Sequence, residues 1–184
     1  FAQTLPDGMT ALLPSGVTPN ITQDKKFIMQ KNLTVAGSPE KGYYAFFSAS
    51  DSDHGEELWV TDGTPEGTRM VKDINPGVAT SDVNYLTRFN DKVVFSADNG
   101  EDGYQLWISD GTEEGTRMVK KIHEFDSSNP IGFCQMNETQ FIFFASDYES
   151  ENFSSEGAQK WLYVSDGTEE GTKLVAQVDC QFPG

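Results

Sequence analysis

Basic side chains are scarce in this chain: 13 Lys and Arg stand against 29 Asp and Glu, for a formal net charge of −16. A surface of that sign repels nucleic acid and anionic membranes, so neither is expected as a partner. It favours solubility, or the gathering of divalent cations. Hydrophobic residues make up 36%, too few for a large helical core. No apolar run approaches the roughly 18 residues of a membrane-spanning helix. Cysteine is limited to Cys134 and Cys180, with no Cys-x-x-Cys pair and no Cys/His cluster, which excludes a zinc site. Histidine is limited to His54, in a polar loop, and His123, after a strand. Both read as surface residues, and neither is paired with a nucleophile in a recognisable motif. Gly-x-Ser-x-Gly, phosphate-cradling and dinucleotide signatures are missing too. No catalytic residue is expected, and the chain reads as a non-enzyme.

What the chain has in abundance is self-similarity. The run Glu57-Leu58-Trp59-Val60-Thr61-Asp62-Gly63-Thr64-Pro65-Glu66-Gly67-Thr68 returns from Gln105 to Thr116, with Trp107 for Trp59, and from Trp161 to Thr172, with Tyr163. The spacing is about fifty residues, the signature of a repeat architecture. The third copy stands further off because the segment Asp147 to Gln159 expands a loop. Each copy reads as four short strands, rich in aromatic and β-branched residues and separated by Gly/Asp/Asn turns. In the first copy these are Leu33 to Val35, Tyr43 to Ala49, Glu57 to Thr61 and Thr68 to Ile74. In the second they are Tyr85 to Phe89, Lys92 to Ala97, Tyr104 to Ser109 and Thr116 to Ile122. In the third they are Ile131 to Cys134, Gln140 to Ala145, Lys160 to Ser165 and Thr172 to Val178. No segment carries helical periodicity beyond two turns.

The motif Glu-Leu-Trp-x-x-Asp-Gly-Thr-x-x-Gly-Thr resembles the ELWxxDGT tandem-repeat family, whose members are mostly secreted or surface proteins. The first copy fits best. The second has Gln105 for the leading Glu, and the third has Lys160 for Glu and Tyr163 for Trp. The resemblance implies four-stranded antiparallel blades of a β-propeller type. The expected fold is therefore all-β, with three four-stranded antiparallel repeat units: residues 31–80, 81–128 and 129–184, preceded by an extended arm over 1–30. A β-trefoil is the alternative, since three units of four strands suit its pseudo-threefold closure, and Gln105 to Trp107 and Gln159 to Trp161 echo a trefoil lectin triplet. The arm is rich in Pro and Gly; it wraps an exposed sheet edge, completes a neighbour's sheet by strand addition, or stays flexible, with Phe27 to Met29 as a candidate sealing strand.

Several residues are candidates for a function. Asp62-Gly63-Thr64, Asp110-Gly111-Thr112 and Asp166-Gly167-Thr168 recur once per copy and read as structural turns, the Asp accepting from following backbone N–H groups. Trp59, Trp107 and Tyr163 occupy equivalent positions. They read as an aromatic ladder between units, or as stacking platforms for pyranose rings. Asp51, Asp53 and Glu57 carry part of the alternating spacing of a calcium loop, and calcium is the only cofactor the sequence raises. Cys134 and Cys180 fall in one unit and read as a candidate disulfide, with two unpaired thiols as the alternative. Asn20, Asn32, Asn137 and Asn152 head Asn-x-Ser/Thr sequons. Sequons and disulfide together point outside the cell or to the cell surface, with an organelle lumen as the alternative. A first residue of Phe1 rather than Met fits a leader removed or left out.

The expected function is that of an extracellular structural or adhesive repeat glycoprotein. It self-associates as a homo-oligomer or filament subunit, or binds other extracellular molecules. The alternatives are a lectin-like module, calcium-assisted, with glycans as partners, and a non-catalytic subdomain of a larger secreted hydrolase.

Overall fold

The structure, a computed structural model, describes residues 18–19, 33–123, 127–146 and 160–178. Among them there are thirteen strands and no helix. The first sheet comprises β1 (Thr18–Pro19), β2 (Leu33–Ser38), β3 (Gly42–Ser50), β4 (Glu57–Thr61) and β5 (Arg69–Lys72). The second contains β6 (Asn84–Phe89), β7 (Lys92–Asp98), β8 (Tyr104–Ser109) and β9 (Arg117–Lys120). The third contains β10 (Ile131–Gln135), β11 (Phe141–Ala145), β12 (Lys160–Ser165) and β13 (Lys173–Val178). All three are open antiparallel sheets in which each repeat runs through its four strands in order.

This arrangement corrects the trefoil alternative. A trefoil closes a barrel by pairing strands of different repeats. Among the described residues every repeat strand instead pairs only within its own unit. Of the N-terminal arm, Thr18 and Pro19 are described; they pair with Ser50 and Ala49 on the edge of β3. Proline is tolerated at such an edge because it has no ladder hydrogen bond to donate. Phe27 to Met29 lie outside the described residues.

The fourth strands are shorter than their sequence signal, and the reason is local. Thr68 belongs to the preceding turn, its hydroxyl donating to the Thr64 carbonyl at 2.6 Å. At the far end, the Ile74 N–H is taken by the Glu57 carboxylate rather than by a neighbouring strand. The ladders also revise one equivalence. Ala49 pairs with Glu57, Ala97 with Gln105 and Ala145 with Trp161, so Trp161 rather than Lys160 stands at the leading position of the third motif.

The sheets stack face to face. Phe46, Leu58, Val60 and Val71 of the first sheet form one apolar cluster with Val93, Phe95, Ala97 and Trp107 of the second. Val94, Leu106, Ile108 and Val119, from the opposite face of the second, pack on Phe141, Phe143, Ala145 and Tyr163 of the third. The middle sheet is thus covered on both sides, and Val93 to Ala97 are buried without a break. In β11, by contrast, burial alternates residue by residue, because among the described residues one face of the third sheet has no further sheet against it. A four-stranded unit with two apolar faces cannot bury either alone, so stacking is what stabilises it.

Candidate functional site

The three Asp-Gly-Thr turns have one geometry. Asp62 Oδ1 accepts the Thr64 N–H at 2.9 Å and the Thr64 hydroxyl at 2.7 Å. The same pair of bonds occurs at Asp110 with Thr112 and at Asp166 with Thr168. The turn hydroxyls then accept from Gly67, Gly115 and Gly171, each at 3.0 Å. Buried hydroxyl pairs close each base: Thr61 with Thr68, Ser109 with Thr116, Ser165 with Thr172. The second glycine of the motif has a steric cause. A Cβ on Gly115 would lie 2.0 Å from Asp110 Oδ1, and Gly67 and Gly171 repeat that contact with Asp62 and Asp166. Gly115→Ala therefore has to expel the Asp110 carboxylate from the turn. The expected loss is about 1–3 kcal/mol. Urea unfolding checks it, and a loss under a few tenths would contradict the steric reading.

The first glycine serves the seam between units. Gly111, at φ +89°, lies where a Cβ would meet the Phe46 ring at 3.3 Å, and one on Gly167 would meet Ile108 Cδ1 at 2.9 Å. The preceding sheet packs directly on these turns. Cations from its fourth strand latch the seam. Arg69 donates to the Gly111 carbonyl at 2.6 Å and Arg117 to that of Gly167 at 2.7 Å. Lys72 and Lys120 reach the Thr116 and Thr172 carbonyls at 3.1 Å. Sequence reading missed these latches. The available signal was Arg-Met-Val-Lys, identical in β5 and β9 and replaced by Lys173-Leu174-Val175-Ala176 in the third copy.

At the two ends of the stack the same positions have no neighbouring sheet among the described residues. A Cβ on Gly63 would meet nothing within 4 Å. Leu33, which corresponds in ladder register to buried Leu86 (6% exposed), is 64% exposed. Val175, the counterpart of buried Val71 and Val119, is 55% exposed. Ile142, Phe144, Leu162 and Val164, on the outer side of the third sheet, are half-buried.

The other candidates are scattered. Trp59, Trp107 and Tyr163 are all buried. Trp107 stacks on Phe95 at a centroid distance of 6.5 Å, and Tyr163 on Phe143 at 5.5 Å. These rings are ladder residues with no exposed face for a sugar. Asp51 accepts from the backbone N–H groups of Asp53 and His54 and from the His54 ring. Glu57 points the other way: it is fully buried and accepts the Ile74 and Asn75 N–H groups at 3.0 and 3.2 Å. Burial pushes its carboxyl up to about 7. Among the described residues no three His, Cys, Asp or Glu side chains converge on a metal-sized site. His123 is buried rather than at the surface, and its carbonyl accepts from Gln105. Cys134 is exposed and forms no disulfide among the described residues; Cys180 lies outside them. Of the sequons, Asn137 is described. It is exposed, its Oδ1 accepting the Thr139 N–H at 2.8 Å and hydroxyl at 2.9 Å. Asn20, Asn32 and Asn152 lie outside the described residues, as does the loop 147–159.

These features define an all-β protein of three repeated four-stranded antiparallel sheets. Compared with protein-family models, curated proteins and solved structures, the chain matches none.

Proposed function

We propose that the chain is a non-catalytic, extracellular structural or adhesive repeat glycoprotein of the ELWxxDGT type. Its sheets act as propeller-like blades, and it associates with further copies of itself through the ends of the stack. One observation carries this reading: positions that are buried between units within the chain are exposed at its ends, Leu33 against Leu86 and Val175 against Val119. The two ends are complementary halves of a seam the chain already makes twice, which is the heterologous arrangement that builds rings or filaments. Lys173 is exposed and keeps a cation at the Arg69 and Arg117 position, from which those two residues reach the next unit's turn carbonyl. Exposed Asn137, with its hydroxyl partner in place, supports glycosylation and with it an extracellular setting.

Light scattering across a concentration series tests association. The expected result is a mass that rises with concentration, and a Val175→Glu chain that stays monomeric while keeping its unfolding midpoint. A wild-type monomer at every concentration would sink the proposal. Intact mass before and after deglycosylation checks the glycoprotein part separately.

A further inference from the structure

At the junction of the second and third sheets lies a cleft of about 310 Å³, lined among others by Asp82, Asn84, Tyr85, Tyr104 and Asn129. We propose that this cleft is a binding site for a neutral saccharide, taking one pyranose ring against the tyrosines with its hydroxyls on Asp82, Asn84 and Asn129. The proposal does not rest on self-association, and it uses none of the buried ladder aromatics.

Three observations lead to it. The first is backbone conformation. Tyr85 sits in the bulge of β6 at φ +59°, left-handed geometry that is a genuine outlier for a bulky residue. The same bulge in β10 is occupied by Gly132, at φ +67°. Glycine therefore meets the requirement of the fold, and what the second unit adds at this position is a phenol side chain in the cleft wall. Strain that the fold does not need is most often kept for function. The second is the polar arrangement. The Tyr104 hydroxyl donates to Asp82 Oδ2 at 2.6 Å, which orients the carboxylate at the cleft. An ionised carboxylate accepts about four hydrogen bonds, so capacity for ligand hydroxyls remains. The third is the chemistry the lining omits. Among the described residues no Lys or Arg lines the cleft, so no described side chain there neutralises a phosphate or carboxylate ligand. Among the described lining residues Asp82 is the only acid, too few oxygens for a calcium ion. A carboxylate, carboxamides and aromatic rings together match a ligand with vicinal hydroxyls and an apolar C–H face. The volume lies at the small end of ligand pockets, suited to a single ring.

The test is titration of the intact chain with the methyl glycosides of glucose, galactose, mannose and N-acetylglucosamine, read by calorimetry and by chemical shifts. At least one is expected to bind saturably with a dissociation constant of about 1 mM or tighter. Asp82→Asn and Tyr85→Gly are each expected to weaken it about tenfold or more, with the unfolding midpoint of Tyr85→Gly kept or raised. Absence of saturable binding by all four sugars would overturn the proposal, as would equal affinity in wild type and both variants. If Tyr85→Gly unfolds, the phenol is a packing residue and the strain argument fails. Tyr104→Phe, which keeps the ring and removes only the hydroxyl, then decides: unchanged affinity overturns the site, and a weakened one retains it.

Discussion

Glu57→Gln is expected to stabilise the chain at pH 8 by about 1–3 kcal/mol and to remove most of a fall in stability between pH 5 and 8. The Glu57 carboxyl is fully buried, and burial raises it from an ordinary 4.5 to about 7. Between those two values the folded chain retains a proton that the unfolded chain has released. Stability is therefore highest below about pH 4.5 as far as this group is concerned, and it declines as pH rises through about 7. The full shift corresponds to about 3 kcal/mol. The repeat supplies its own control, because Gln105 stands at the equivalent position. Its Oε1 accepts the Ile122 N–H at 3.1 Å and the Ser128 hydroxyl at 2.7 Å, while Nε2 donates to the Asp102 carbonyl at 2.9 Å. A neutral amide thus performs the same capping of the chain after the fourth strand. Other groups shape the acid limb in the opposite sense. Asp62 and Asp166 are held below the usual carboxylate range by Thr64 and Thr168 hydroxyls and N–H groups. Their contribution is present above about pH 4 and lost as pH falls. Urea unfolding of both chains from pH 3 to 9 measures the difference. Parallel pH profiles for wild type and Glu57→Gln would contradict the assignment.

Phe95→Ala is expected to cost about 3–5 kcal/mol, and Phe47→Ala, at the same position one unit earlier, clearly less. Phe95 is completely buried in the seam between the first and second sheets, and its ring stacks on Trp107. Phe47 pairs with Trp59 on the outer side of the first sheet and is half-buried. The difference between the two is the presence of a preceding sheet, so Phe143→Ala, whose side chain is sealed by the second sheet, should match Phe95→Ala. In a chain of this length about 1 kcal/mol moves the unfolding midpoint by about 2–4 °C, so Phe95→Ala should lower it by roughly 10 °C. Equal losses at Phe47 and Phe95 would show that the units are stabilised individually rather than by stacking.

Much of the fold is legible in the residues because turns and ladders are local. The Asp-Gly-Thr hairpin is specified within seven residues: an acceptor at Asp110, a hydroxyl at Thr112 and a gap at Gly115. The strand before it is announced by Leu106, Trp107 and Ile108, and β8 has the bounds its sequence signal indicates. The side chains of functional interest were not legible in the same way. Glu57 lies among acidic loop residues, and nothing in that run says that it turns inward to cap Ile74 while Asp51 stays with His54. Aromatic strand residues look alike in sequence whether a neighbour covers them or not, which is why Trp107 reads as a ladder residue with a sugar platform left as the alternative. Tyr85 shows the same limit: its left-handed conformation depends on a bulge, and a bulge becomes visible only from the register of two strands.

The chain's own order of residues determined the number of units, the four strands in each and the turn that joins the third to the fourth, because these depend on contacts between near neighbours. Tertiary structure decided which faces meet. A continuous apolar strand such as Phe141 to Ala145 supports burial on one side or on both, and only the position of the next sheet selects between them. The same selection seals Trp107 and Tyr163, exposes Leu33 and Val175 at the ends, and brings Asp82, Tyr85 and Tyr104 to one cleft.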